Sequence, residues 1–438
     1  MKGKLFIKIF ILLITMLFSF SCTTYRDYSM VYEEIYSNDF DTAYEQLEID
    51  KSYIYSDKDE VLYSLDSGLL AHYSGDYNES NAKLSRAEAL MESFYATSVS
   101  QSINSFFTND NAKDYAGDEY EDIYSNIFMA LNYIHLGKIE DAFVEIRRFD
   151  NKQKALSVKY AEQIAYAKEQ VGNLNVNVQF NNSAFARYIS LLLYRANNQM
   201  DSAEVDRKKI EEAFKTQPNL YPFDVPLAVA EEFLIPNNMA RLNILGFAGL
   251  APVKIEETID TFSTDGIAFK LALPEMQKRG TKVDTISVVV YGESNDYYVE
   301  SLEKIESIEN IAYDTFGEKK ALIHAKAFLR ALSKSAISTT LDVLDASYLE
   351  ENGELSAGLT LLSIASKVWI AASEFADIRT SQFFPAEVFV GGVTIPEGTY
   401  VVQIKFQDSR GRTLSEEIIK DVVVTKNNVN LVETLCIR

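Results

Sequence analysis

This sequence predicts an α+β chain: an N-terminal α-helical array to about residue 215, followed by a mostly antiparallel β domain with helices packed on it. Three observations carry the prediction. A six-residue register recurs four times before residue 215. Half of the 8 prolines (Pro218, Pro222, Pro226 and Pro236) then bunch together and mark an exit from helix. Beyond them helical spacing gives way to alternating runs such as TISVVVY from Thr285 to Tyr291, which put every second side chain on one face of a strand. A chain of 438 residues exceeds what one core usually holds, so two domains are expected, 22–215 and 241–438, joined by a linker over 216–240.

The register reads small residue or Asn, any, apolar, two polar, small. It appears as Asn38 to Ala43, Gly75 to Ser80, Gly137 to Ala142 and Asn198 to Ala203. Gly or Asn at its head suits the left-handed turn that closes one helix, and the small residue at its end lets the next helix approach its partner. With Gly68, Tyr73, Leu84 and Ala87 around the second turn, and Ala130, Tyr133, Ile146 and Phe149 around the third, this is the tetratricopeptide pattern. Successive small residues stand 37, 62 and 61 apart. A perfect array repeats about every 34, so the last two gaps each hold an insertion. The first runs as helix from Met91 to Phe107, then as a loop through Thr108-Asn-Asp-Asn111 and Tyr115-Ala-Gly117, with a helix start at Asp118 or Glu119. The second is helix to about Gln170 and a polar stretch from Gly172 to Asn182.

After the prolines, strands are predicted over Arg241–Phe247, Ala268–Leu273, Thr285–Tyr291, Glu387–Val390, Thr399–Phe406, Glu416–Val424 and Asn430–Ile437. Pro396-Glu-Gly398 and Asp408-Ser-Arg-Gly411 read as turns, and Gly391-Gly392 as a hairpin turn. Two helices are expected among the strands, at Thr315–Ile337 and Leu359–Phe375. The second carries Lys367, Glu374 and several serines, which marks it as buried rather than membrane-spanning.

Residues 1–21 read as a lipoprotein signal peptide. Lys2, Lys4 and Lys8 flank an apolar run from Leu5 to Phe20 that is short for a membrane span, and Ser19 and Ser21 stand before Cys22 in a relaxed lipobox. Cys22 is the expected lipidation (palmitate) site and membrane anchor. Only Cys22 and Cys436 exist, so a disulfide between the two is the alternative. The net charge is −22, and −25 without the leader's three lysines. That excludes nucleic acid, whose binding needs clustered cations, and leaves membrane attachment to the acyl chains.

No phosphate loop, nucleophile elbow or zinc-binding His-Glu-x-x-His occurs, and His72, His135 and His324 are scattered. No metal and no cofactor are expected. Stacked hairpins leave a groove of the kind that takes a protein partner. The candidate partner-binding residues are Asn109, Asp110, Asn111, Tyr115, Gly117, Glu121, Tyr133 and Arg147, because regular repeats do not require the first insertion. Asp118, Glu119, Glu121 and Asp122 cluster beside it. A general acid and base for a glycan hydrolase centred on Glu121 is the competing reading, although acids are also expected in a first helical turn.

Blocks along nearly the whole mature chain resemble an uncharacterised family of bacterial tetratricopeptide lipoproteins. They are Phe107-Thr-Asn-Asp-Asn111 through Tyr115-Ala-Gly117 to Ala130–Tyr133, Leu136-Gly137 and Ala142–Arg148; then Ala184–Tyr188, Gly249–Lys254, Leu273-Pro274, Ala325–Ala327 with Arg330, Ala376-Asp377 with Arg379, and Pro396–Tyr400. The relaxed lipobox departs from the family pattern, as does the lack of tryptophan in Ile378–Phe383. The resemblance implies an envelope lipoprotein, anchored in the outer membrane facing the periplasm and scaffolding cell-wall or envelope assembly. Some family members associate with small lipoproteins that activate peptidoglycan synthesis. It supplies no catalytic residue.

Overall fold

The computed structural model describes residues 26–100, 110–159, 161, 164–165, 168–169, 179–262, 268–292, 297–317, 319–327 and 375–438. Eight helices pair in order as hairpins: α1 (Ser29–Tyr36) with α2 (Phe40–Ile54), α3 (Glu60–Ser74) with α4 (Tyr77–Ser100), α5 (Glu119–His135) with α6 (Ile139–Lys159), and α7 (Ala184–Ala196) with α8 (Met200–Thr216). Each inter-helix turn closes on the residue the register predicts. Asn38, Gly75, Gly137 and Asn198 all take positive φ, at 62°, 85°, 67° and 56°. The small residues Ala43, Ser80, Ala142 and Ala203 are fully buried at the helix crossings. Ser80 Oγ also donates to Gly68 O (2.7 Å), tying α4 to α3 where a side chain on Gly68 would run into Leu84. Side-chain oxygens of Asp39 and Ser183 accept from Thr42 N and Ala186 N, capping α2 and α7.

A short helix, α9 (Leu227–Glu231), leads to nine strands among the described residues: β1 (Ala240–Ala248), β2 (Val253–Phe262), β3 (Ala268–Gln277), β4 (Thr285–Tyr291), β5 (Tyr297–Ser307), β6 (Glu387–Ile395), β7 (Gly398–Gln407), β8 (Thr413–Val424) and β9 (Asn430–Cys436). Seven form one sheet in the order β8-β7-β4-β5-β6-β1-β9, antiparallel throughout except for the parallel β1–β9 pair, while β2 and β3 form a separate ribbon. The sheet curls until its edge strands meet, with Thr434 Oγ1 donating to Glu417 Oε2 at 2.6 Å. Inside the curl lies one core, built on Leu242, Ile244, Ile286, Val288, Val402 and Ile404. Gly246 and Gly391 leave room there for Ile286 and Leu302.

Every residue of β1 is buried. Its other face, with Leu245 and Phe247, joins a core that runs without a break through α3, α5 and α7 and includes Ile305, Phe383 and Phe384. The sequence's expectation of a helical array followed by a mostly antiparallel sheet domain is met, and the two share a hydrophobic core. A further helix, α10, spans residues 308–317 and 319–327 and meets the one predicted from Thr315. The helix predicted at Leu359–Phe375 lies outside the described residues apart from Phe375. Among the described residues no helix is long and apolar enough to cross a membrane.

Two strands went unpredicted, and one turn was misplaced. In β5 a register shift between Lys304 and Glu306 breaks the alternation that would have flagged a strand. β2 opens VKIEE, with charge where alternation wants apolar residues. Gly391-Gly392 is no hairpin turn. Both glycines sit in mid-β6, because a Cβ on Gly391 would strike Leu302 and one on Gly392 would strike Arg241 and Leu242 O.

Candidate functional site

Polar side chains of the helical array converge on the chain's own segment 375–384. Asp66 of α3, fully buried, accepts from Ser381 Oγ (2.7 Å) and Gln382 N (2.8 Å), and also from Tyr28 and Tyr55 hydroxyls. Glu121 of α5, likewise buried, accepts from Ser381 N (2.6 Å) and Thr380 Oγ1 (3.2 Å). Tyr73 donates to Phe383 O (3.0 Å), and Asn111 Nδ2 donates to the carbonyls of Phe375 and Ala376. The Arg379 guanidinium pairs with Asp59 and Asp377 and donates to Asp110 O and Lys113 O. The array thus holds this segment by backbone and side chain together.

Beside the segment opens a cleft of about 390 Å³ between the array, the β2–β3 ribbon and α10. Tyr115, Gly117 and Ile123 form part of one wall, Leu322 and Ile323 part of the other, and Lys113, Lys152, Lys254, Lys319 and Lys326 all line it. Glu92, Asp110, Asp114, Asp122 and Asp377 line it too, and buried next to two of the lysines is Asp118, the N-cap of α5. Asp118 Oδ2 lies 2.9 Å from Lys254 Nζ and Oδ1 lies 2.8 Å from Lys319 Nζ, which also donates to Gly117 O. Burial opposes the charged form of Asp118, but the two ammonium groups overcome it and hold the carboxyl at about 2. Glu121 is the opposite case. Burial, then the Asp118 charge, push its carboxyl up to about 7 against the pull of Lys254 and of the Tyr115 hydroxyl.

The predicted residues fall into three groups. Asp110, Asn111, Tyr115, Gly117 and Glu121 come together at the cleft and the segment beside it. Tyr115 is buried, donates to Glu121 Oε2 (2.6 Å) and receives the face of Arg379 at 5.3 Å. Asp110 carries the Lys113 ion pair. Tyr133 and Arg147 lie elsewhere: Tyr133 is half-buried beside Lys138, and Arg147 lines a second, smaller cleft with Asp150 and Arg187. Cys22 and Asn109 lie outside the described residues. The sequence reading did not single out Asp59, Asp66, Lys254 or Lys319 as site residues. Asp66 alone left a signal, an acid inside the otherwise apolar or small run LDSGLLA of α3.

Gly117 holds the loop at φ 76°, and a Cβ there would overlap Met91 Sδ. Gly117→Ala is expected to cost at least about 2 kcal/mol through left-handed strain and overpacking together, read as a shift in urea midpoint. An unchanged midpoint would show that the loop re-forms around Met91.

Among the described residues no three His, Cys, Asp or Glu side chains converge as a metal ion requires. Comparisons with protein-family models, with curated proteins and with solved structures found no match.

Proposed function

We propose that this chain is a lipid-anchored envelope lipoprotein acting as a protein-binding scaffold, whose partner enters the cleft beside residues 110–117. One observation carries the placement: the array's recognition groups Asp59, Asp66 and Glu121 are engaged by the chain's own segment 375–384, whereas the described residues next to it enclose a cleft of about 390 Å³. A largely preformed concavity with apolar walls and a few fixed charges is the usual form of a ligand site. The membrane anchor and the envelope location rest on the leader and on Cys22. A glycan hydrolase is less well supported. Asp118 and Glu121 are both buried and bound within the protein, one by lysines and the other by four donors. An acid–base pair must instead face a sugar and a water.

A photocrosslinking side chain at Lys113, in the cleft, is expected to form one discrete adduct with an envelope protein in intact cells, and Ile323→Arg should abolish it. The same probe at Ile49, exposed on α2, is expected to give none. Equal adducts from both positions would refute the placement. Palmitate labelling should disappear in Cys22→Ala, and labelling that persists would refute the anchor.

A further inference from the structure

The two histidines near the ends of α3 and α5 meet at one carboxylate. His72 Nε2 lies 3.0 Å from Glu433 Oε2 and His135 Nε2 lies 2.6 Å from Glu433 Oε1. Glu433 sits on β9, the C-terminal strand and the edge of the sheet that runs parallel to β1. The pair of contacts therefore fastens the sheet edge to the array.

The protons on His72 follow from its neighbours. His72 Nδ1 is 2.6 Å from Asn132 Oδ1. That amide cannot be turned around, because its Nδ2 donates to Ser80 Oγ (2.8 Å) and Asn81 Oδ1 (3.0 Å), and Ser80 Oγ spends its own hydrogen on Gly68 O. Asn132 Oδ1 is therefore an acceptor, and Nδ1 of His72 carries a hydrogen. Glu433 as a carboxylate offers only lone pairs, so Nε2 must carry one too. A neutral imidazole has a single N–H and satisfies one of the two contacts. His135 needs no such charge, since the neutral tautomer protonated on Nε2 makes its bond.

We propose that the doubly protonated form of His72 is a latch that docks β9 on the helical array, and that loss of this proton loosens the sheet edge. The titratable groups facing His72 are Glu433 from β9, His135 from α5, Tyr73 from its own helix and Tyr77 from α4, whose ring stacks on His135 at 4.4 Å. His72 and then His135 hold the Glu433 carboxyl down at about 2 against its burial, so Glu433 is an acceptor in both contacts. His72 is 4% exposed, so its charge has no water to fall back on if the carboxylate leaves. The sign follows. With both ring hydrogens present His72 makes both contacts, and with one lost at higher pH it makes only one, so docking is favoured on the acidic side.

Amide hydrogen exchange of the full mature chain tests this, with rates corrected for intrinsic base catalysis. In the wild type, exchange in β9 is expected to rise about tenfold between about pH 6 and about pH 8.5, a local opening of the sheet edge. His72→Gln should remove that pH dependence, whereas His135→Gln should keep it. A dependence that survives in His72→Gln overturns the latch. Should that variant fail to fold, ring nitrogen shifts of His72 in the wild type decide at about pH 6. Two protonated nitrogens support the proposal and a neutral tautomer in the docked protein refutes it.

Discussion

Asp118→Asn is expected to lower the unfolding free energy by about 3–5 kcal/mol, the usual cost of removing one partner from a buried ion network. Asp118 is 2% exposed and is the shared counter-charge of Lys254 and Lys319, which come from β2 and α10. Without the carboxylate two ammonium groups are left facing each other across a partly desolvated wall, and each must move to find water. Lys254 has little room to do so, because the rings of Tyr115 and Phe316 lie 5.3 and 5.9 Å from its ammonium. The cleft should therefore deform as well as weaken. Urea unfolding at neutral pH reads the cost. Lys319→Met in the Asp118→Asn background should recover part of it by removing one stranded cation, a non-additivity that marks the pair as coupled. A loss below about 1 kcal/mol would mean that the network is solvated and contributes little.

The same site shows what the sequence made legible. Local chemistry was readable because it is written in short spacings. Asn38, Gly75, Gly137 and Asn198 had to be turns since each stands at the end of an apolar helical period, and Asp118 three residues before Glu121 is the reciprocal capping pair of a helix start. The loop from Asp110 to Gly117 was found because it interrupts a repeat. The closure of that site was not readable. Arg379 stands 320 residues from Asp59 and Lys319 stands 201 from Asp118, and no periodicity links positions so far apart. Acids on a helical array usually face water. Whether Asp66 and Glu121 meet water or a folded-back segment depends on a tertiary contact that one sequence does not state. β5 failed for a different reason: its bulge places Glu306 inward, where it accepts from Ser183, Phe185 and Tyr221, and a buried acid in a strand reads as a loop.

Glu121→Gln is expected to destabilise the protein most at acidic pH and to flatten its pH dependence. In the wild type the carboxyl's folded value, about 7, lies above its unfolded 4.5. Its contribution is therefore complete below about pH 4.5 and is lost as the pH rises through about 7, a loss of about 3 kcal/mol over that window. Asp66, raised by burial from 3.8 to about 6, slopes the same way and stays in the variant as an internal reference. Asp118 and Glu433, both held at about 2, act in the opposite sense, but only as the pH falls below the unfolded carboxyl values. The interval from about pH 5 to about pH 8 therefore isolates Glu121 from those two. The substitution also has a hydrogen-bonding cost. Oε1 accepts from Ser381 N and Thr380 Oγ1 and Oε2 from Tyr115 and Asp118 N, so an amide turned either way sets its own donor against two others, at about 1–3 kcal/mol. Urea midpoints at about pH 5 and about pH 8 should thus show a large gap between the two proteins that narrows at the higher pH. Parallel pH profiles would mean that Glu121 is ionised throughout and that its four donors outweigh its burial. Muropeptide turnover measured on the same two proteins should not differ. If it is abolished in a variant that still folds at about pH 8, Glu121 is a general acid after all and the scaffold reading falls.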